Sequence, residues 1–322
     1  SSEVVNNTTG IDVLLDGHDH QAEQNTVKNK DGQDVLMAGC GTKMSAISQL
    51  RIAADGTMTT QVVKYDATLA AMYTKDSSIS DSISAITSQF EDTLNEVVAN
   101  SDVDLVIYDP ANPDVRLIRT TETNLGDLCA DAYRAMSGAD IAFVNGGGIR
   151  VNLEKGEITL GEILSVHPFG NALCTVEATG QQILDALEMA SRNVPNENGG
   201  FLQVSGLTYE IHTYIESSVT LDENGMFKSV DGEYRVKNVK VGEEDLDVTK
   251  TYTLASHNYM LKSGGDGLCM FTEDPIILDE TMLDNQVLIN YITDTLGGSV
   301  GAEYADPYGQ GRIVAVAEAP AK

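Results

Sequence analysis

The sequence lacks any apolar run of the roughly 18–20 residues that a membrane-spanning helix requires. It also lacks internal repeats, and its first residues carry neither the basic segment nor the cleavage site of a signal peptide. Positive charge is scarce, since 20 Lys and Arg stand against 49 Asp and Glu for a formal charge of −29. Such a surface repels nucleic-acid backbones, which excludes a nucleic-acid polymer as a partner. A phosphorylated ligand would need a local group of arginines or a metal ion.

Cysteine is also rare, and none of the four cysteines forms a CxxC pair; they are Cys40, Cys129, Cys174 and Cys269. Each lies among apolar or small residues, a pattern that favours buried free thiols over disulfides or a zinc site. Hydrophobic residues make up 42% of the sequence, which is typical of a globular chain. With 322 residues, the chain is long enough for two domains.

The spacing of apolar and polar residues divides the chain into four segments. Residues 1–66 alternate like the last strands of a sheet, with a buried strand at Ile11–Leu15 and a hairpin turn at 54–57. Apolar residues at helical spacing over 68–98 predict a helical connector, which we bound at 67–101. Residues 102–316 mix strands and helices without strict alternation, so the fold class is α+β or an irregular mixed α/β. In this segment a helix is predicted to start near Asn124, and the capping-box pairs Thr159/Glu162 and Thr179/Gln182 predict the starts of two more. Residues 317–322 form a tail.

The first chemical motif is Gly17-His18-Asp19-His20, directly after the strand at Ile11–Leu15. Side chains two apart in extended backbone point the same way, so His18 and His20 can reach one metal ion. Paired imidazoles suit zinc, manganese or iron. The alternative is two ordinary loop histidines.

The second motif is Asn145-Gly146-Gly147-Gly148-Ile149-Arg150, which follows a short predicted strand. Its glycine N–H groups can form an anion nest, and Arg150 can bind a phosphate or carboxylate in bidentate fashion. The alternative is a tight turn with a surface arginine.

A third motif, Ser263-Gly264-Gly265-Asp266-Gly267, holds an acid between glycines. It is either a plain turn or a carboxylate that accepts hydrogen bonds from sugar hydroxyls. Two nearby aromatic residues, Phe169 and Tyr259, are either core residues or a platform on which a flat base stacks.

Three further stretches lie between these motifs: R-x-x-x-x-N-L-G-D-L from Arg119, HPFGN from His167 and GGFLQVSGL from Gly199. In this order, the six motifs resemble the 5′-nucleotidases, a family that includes bacterial UDP-sugar hydrolases, 2′,3′-cyclic-nucleotide phosphodiesterases and animal ecto-5′-nucleotidase. The resemblance covers essentially the whole chain. It implies the C-terminal domain fold of that family, preceded by the truncated end of a four-layer calcineurin-like metallophosphoesterase sandwich. It also implies that the intact protein holds two divalent metal ions, such as zinc or manganese, and hydrolyses a nucleotide.

The resemblance implies a role for particular residues. His18 and His20 match metal ligands, and Arg119, Asn145, Gly147 and Arg150 match positions that hold the phosphate and ribose region. Phe169 matches the first aromatic of a base-stacking clamp, and Asp266 matches the ribose-binding acid. The second clamp aromatic usually lies six residues before that aspartate, where this chain has Met260. Tyr259 takes the role if the loop carries a one-residue insertion.

The family's other metal ligands and its catalytic His–Asp pair precede the GHDH motif and are absent from these residues. We therefore expect a substrate-binding fragment that is inactive alone. Three interpretations stay open: a 5′-nucleotidase, a 2′,3′-cyclic-nucleotide 2′-phosphodiesterase/3′-nucleotidase or UDP-sugar hydrolase, and a non-catalytic surface nucleoside-binding module. The family implies an extracellular, wall-associated or periplasmic location. The oligomeric state is not indicated.

Overall fold

A computed structural model describes residues 2–18 and 20–319. The chain divides into two compact units, residues 1–87 and residues 88–322. The predicted tail over 317–322 lies outside the described residues from position 320 onward, as does Asp19 of the GHDH motif.

The first unit holds two small sheets and short helices. Its elements are α1 (Ser2–Asn7), β1 (Val13–Asp16), β2 (Gln24–Lys28), β3 (Asp34–Gly39), β4 (Ala46–Ile52), β5 (Met58–Lys64), α2 (Ala67–Met72) and α3 (Ser77–Thr87). In one sheet β3 lies between β1, which is parallel to it, and β2, which is antiparallel. β4 and β5 form the predicted hairpin, whose turn contains Gly56 at φ 85°.

The first unit buries few of its apolar side chains. The predicted buried strand at Ile11–Leu15 is β1, but β1 is only half-buried and Leu15 is 52% exposed. Among the described residues of this unit, half of the buried side chains lie on β3, including Val35 and Met37. The prediction of a fully buried strand at this position is therefore wrong.

The predicted helical connector is broken into several pieces. α2 and α3 are followed by α4 (Glu91–Leu94) and by strand β6 (Val97–Ser101), both in the second unit. Asp66 and Asp76 start α2 and α3, since their carboxylates accept hydrogen bonds from the N–H groups of Leu69 and Ser78. The prediction of a single helix over 68–98 is thus wrong, because Asp76 begins a new helix within that range and β6 begins at Val97.

The rest of the second unit is a mixture of strands and helices. Its strands are β7 (Ile141–Asn145), β8 (Gly156–Thr159), β9 (Leu173–Thr179), β10 (Leu202–Ser205), β11 (Leu207–His212), β12 (Val219–Leu221), β13 (Phe227–Val230), β14 (Val236–Val241), β15 (Glu244–Asp245), β16 (Thr251–His257), β17 (Ile276–Leu278), β18 (Ser299–Val300) and β19 (Ile313–Val316). Its helices are α5 (Asn124–Ser137), α6 (Leu160–Val166), α7 (Gly180–Ser191), α8 (Asn258–Leu261) and α9 (Asp284–Asn290), which continues as a π-helical turn over Tyr291–Thr295. The mixed α/β class is confirmed.

The central sheet of this unit has the strand order β10-β7-β16-β9-β17. All five residues of β7 are buried, and alternate side chains point to opposite faces of a sheet. Ala142 and Val144 accordingly join one apolar cluster with α5, while Ile141 and Phe143 join another with α7. A strand covered on both faces explains the unbroken apolar run in the sequence.

The helices that flank this sheet begin where the sequence predicts. Thr159 and Thr179 cap α6 and α7 in complete capping boxes with Glu162 and Gln182, which confirms both predictions. α5 starts at Asn124 and ends at Gly138, whose φ of 69° terminates the helix in a left-handed cap. Within the described part of the chain, helices long and apolar enough to span a bilayer do not occur.

Candidate functional site

Four loops of the second unit meet at one edge of the central sheet. β7 and β16 are parallel neighbours, so their last residues, Asn145 and His257, lie at the same edge. β9 and β10 run the opposite way and begin there, since Leu173 pairs with His257 and Leu202 pairs with Asn145. This topology brings together the NGGGIR, HPFG, GGFLQ and SGGDG segments, which are far apart in the chain.

Asp266 lies in the middle of this edge, in a backbone conformation with φ 56°. One carboxylate oxygen, Oδ2, accepts a hydrogen bond of 2.6 Å from the amide Nδ2 of Asn145. The Tyr259 hydroxyl lies 3.4 Å from Oδ1 and accepts the Asp266 N–H at 3.1 Å. Burial raises the pKa of Asp266 above its ordinary value, while Asn145, Tyr259 and nearby arginines oppose that rise.

The glycines of these loops make room for close packing. A Cβ on Gly265 would overlap the Tyr259 ring, and a Cβ on Gly200 would lie 2.7 Å from Cβ of Asp266. Gly146 and Gly147 donate their N–H groups to the carbonyls of Phe201 and Gly199, both at 2.7 Å. The expected anion nest is therefore wrong at Gly146 and Gly147, because both donors are already used within the protein.

Cationic side chains surround the carboxylate. Arg119 ends a short 3₁₀ turn and is half-buried; burial first, then the charges of Arg116 and Arg150, lower its pKa. Both Arg119 and Arg192 act electrostatically on Asp266. The sequence argument missed Arg192, which lies just after α7 and donates to the Met189 carbonyl at 2.7 Å. These arginines form a local group of positive charge in an otherwise acidic protein.

Two aromatic rings are exposed at this edge. Phe169 is 60% exposed, and the Arg150 guanidinium lies 5.7 Å from its ring centroid. Tyr259 is 41% exposed and next to Asp266, whereas Met260 is fully buried and accepts a hydrogen bond from Ser256 at its sulfur. Tyr259, not Met260, is thus the side chain that faces the loops.

Two histidines behind the site are buried and were missed by the sequence argument. Burial lowers the pKa of His257 to about 3 and that of His167 to about 4, so both imidazoles are neutral near pH 7. His257 Nε2 lies 3.0 Å from Oδ1 of Asn145. In the sequence no motif marks His257, and only the parallel pairing of β7 and β16 brings it to Asn145.

The two histidines of the first unit lie just beyond β1. His18 is exposed and its backbone N–H donates to the Asp16 carboxylate at 2.9 Å, while His20 has φ 64°. Because His20 is left-handed, the argument from an extended backbone does not hold. Within residues 2–18 and 20–319, no three His, Cys, Asp or Glu residues are grouped as a metal site would require. Two imidazoles fall short of the three protein ligands of a catalytic zinc site, so the described residues do not fit a complete metal site.

Comparison with known proteins identifies the family to which the chain is similar. Residues 97–273 match the family model described as 5′-nucleotidase, C-terminal domain. The chain is 31% identical over 278 residues to the Trifunctional nucleotide phosphoesterase protein YfkN of Bacillus subtilis, which covers 84% of this chain and 18% of that protein. It is 30% identical over 308 residues to the Cell wall protein Lmo0130 of Listeria monocytogenes, covering 88% of this chain and 35% of that protein.

A solved structure agrees with these relatives. The 5′-nucleotidase precursor of Thermus thermophilus superposes with a TM-score of 0.74 at 26% identity, over 98% of this chain and 62% of that one. The chain therefore spans only part of each protein that it resembles. Through residues 97–273 and the fold around them, this chain belongs to the 5′-nucleotidase family.

Proposed function

We propose that the sheet edge around Asp266 binds the nucleoside part of a nucleotide. In the intact protein it would serve a metal-dependent phosphoric ester hydrolase of the 5′-nucleotidase type. The observation that carries the proposal is the combination of two exposed aromatic rings, Phe169 and Tyr259, with a half-buried carboxylate and nearby guanidinium groups. A flat base, a sugar diol and a phosphate are the three chemical parts that such a set of groups suits.

Each group has a role in this proposal. Phe169 and Tyr259 stack on the base, a contact worth about 1–3 kcal/mol per base. Asp266 accepts hydrogen bonds from ribose hydroxyls, because a carboxylate has about four lone-pair sites and few are used internally. Arg119 and Arg150 neutralise the phosphate, which the chain's overall charge would otherwise repel.

Asn145 and Gly147 shape the floor of the proposed site. Asn145 holds Asp266 by the 2.6 Å hydrogen bond, and the Gly147 carbonyl accepts from Nη1 of Arg150 at 3.0 Å. Gly147 also lies against Gly199, where a Cβ would approach the Gly199 carbonyl oxygen to 2.9 Å. Both residues therefore act on the ligand through the charged groups that they orient.

Metal dependence belongs to the intact protein in this proposal. His18 and His20 are proposed ligands, and divalent ions held there with further ligands would supply the hydrolytic chemistry. The described residues offer too few ligands by themselves, so we expect this chain alone to bind without hydrolysing. The relatives include a protein named as a cell wall protein, which supports a proposed location outside the cytoplasm.

The proposal is tested by calorimetric titration of the 322-residue chain in the presence of a chelator. The ligands are adenosine, AMP, UMP and 2′,3′-cyclic AMP, and Phe169→Ala is the matched control. Saturable binding of at least one ligand, lost in the variant, would support the nucleoside site. The ranking of AMP against 2′,3′-cyclic AMP then separates a nucleotidase from a cyclic phosphodiesterase. Absence of binding by all four would contradict the proposal.

A further inference from the structure

A buried hydrogen-bond chain leads from His257 to the carboxylate of Asp266. His257 Nε2 lies 3.0 Å from Oδ1 of Asn145, and Nδ2 of the same amide donates to Asp266 at 2.6 Å. His257 is 2% exposed and Asn145 is 5% exposed, so both side chains are shielded from bulk solvent. One neutral amide thus connects a core imidazole with the proposed sugar-binding acid.

The chemistry of the groups fixes the direction of every hydrogen bond in this chain. An ionised Asp266 only accepts, so the amide must present its NH₂ group to that carboxylate. The amide oxygen then faces His257, which has to donate from Nε2. The neutral imidazole carries its single proton there, and its Nδ1 lone pair has no hydrogen-bond partner among the described residues. A flipped amide would set its oxygen against the carboxylate.

Packing holds both ends of this chain in place. His257 closes β16, and its ring packs near the edge of Tyr133 and beside Tyr259, with centroids 6.2 and 5.9 Å apart. Gly148 leaves space for the amide, because a Cβ there would lie 2.7 Å from Oδ1 of Asn145. Among the described residues, the donor placed against the amide oxygen is the His257 imidazole.

We propose that His257 is a positioning residue that orients the Asn145 amide, and through it holds the Asp266 carboxylate toward the sugar hydroxyls of the ligand. This inference rests on the proposed function. His257 does not touch the ligand. Its effect is specific to ligands that use Asp266, so it sets the preference for a ribose with free hydroxyls over a sugar that lacks one.

Two substitutions of similar polarity separate this role from general packing. The side-chain amide nitrogen of Gln reaches the position of a histidine Nε2, whereas that of Asn reaches only the position of Nδ1. His257→Gln therefore keeps a donor for Asn145, and His257→Asn removes it. His167→Leu is the control for loss of a buried imidazole, since the hydrogen bond of His167 runs to the Gly148 backbone.

The readout is the ratio of Kd for 3′-deoxyadenosine to Kd for adenosine, measured by calorimetry on the full chain with a chelator present. A hydrogen bond to a charged group corresponds to about tenfold or more in affinity, so we expect a wild-type ratio of about ten. The ratio should stay near that value in His257→Gln and His167→Leu. It should fall towards one in His257→Asn, mainly through weaker adenosine binding.

A double variant tests whether His257 acts through Asn145. In an Asn145→Ala background the ratio should already be near one, and adding His257→Asn should change it no further. If the wild-type chain binds neither ligand, the proposed function fails and this inference with it. If the wild type discriminates and His257→Asn discriminates equally well, the inference is wrong while the proposed function stands.

Discussion

The two units of this chain differ in how completely they bury their apolar patterns. In residues 88–322, β7 is buried along its whole length, and apolar clusters cover both faces of the central sheet. In residues 1–87, α2 and α3 bury no residue, and Ile79, Ile83 and Ile86 are each more than half exposed. The second unit therefore has its own core, and its candidate site is formed by its own loops. Within the part of the chain that the structure describes, the histidines of the first unit do not belong to a group of three or more possible metal ligands.

The largest effect should come from the core of the second unit. Phe143→Ala removes a fully buried ring between α7 and the sheet, and should lower the free energy of unfolding by about 3–5 kcal/mol. Phe90→Ala is the matched control, because Phe90 is 54% exposed and its loss should cost less than about 1 kcal/mol. Urea unfolding followed by circular dichroism measures both. Equal losses would remove the contrast between buried and exposed positions.

A second effect should appear in how the free energy of unfolding depends on pH. Burial lowers the pKa of His167 from 6.5 to about 4, so the folded state favours the neutral ring. The stability that this contributes is present above pH 6.5 and is lost as the pH falls through about 4, by about 3 kcal/mol. His167→Gln cannot titrate, and its unfolding free energy should fall less steeply between pH 6.5 and 4. A slope identical to that of the wild type would show that His167 does not contribute.

Ligand binding should respond next. Asp266→Asn replaces the acceptor carboxylate by an amide and should weaken adenosine binding by about 10- to 100-fold, as expected for a hydrogen bond to a charged group. Asp222→Asn is the control, because the Asp222 carboxylate accepts hydrogen bonds from the backbone N–H groups of Asn224 and Met226 in its own turn. Calorimetry on both variants tests this, and an unchanged affinity in Asp266→Asn would exclude the carboxylate from the site.

The smallest effect should be at the histidines of the first unit. His18→Ala should change metal-free adenosine binding by less than about twofold, because every proposed nucleoside contact lies in residues 88–322. The same titration with and without the substitution tests it. A loss comparable to that of Asp266→Asn would mean that the first unit takes part in binding the nucleoside.

Local signals in the sequence predicted the elements whose cause is local. The capping boxes at Thr159 and Thr179 and the hairpin around Gly56 follow from side chains within a few residues of each other. The prediction of one helix over 68–98 was wrong because it was based only on the helical spacing of apolar residues. The N-caps at Asp66 and Asp76, which are also local, were overlooked.

The residues of the candidate site also divide into those with a local sequence signal and those without one. The order of the motifs predicted Asn145, Arg150 and Asp266 as site residues. Their relative positions depend on the pairing of strands that are more than a hundred residues apart in the chain. His257 was missed because nothing in the sequence of β16 distinguishes its last residue from the rest of a buried strand. The glycine run was taken as an anion nest because the carbonyls that occupy its N–H groups come from a distant loop.

The central claim is that residues 88–322 carry a complete nucleoside site. Hydrogen–deuterium exchange of the full chain, with and without saturating adenosine and with a chelator present, tests it most directly. The account predicts slower exchange in the segments after β7, before β9 and around Asp266, with residues 1–87 unchanged. Slower exchange confined to residues 1–87, or no change anywhere at saturation, would contradict it.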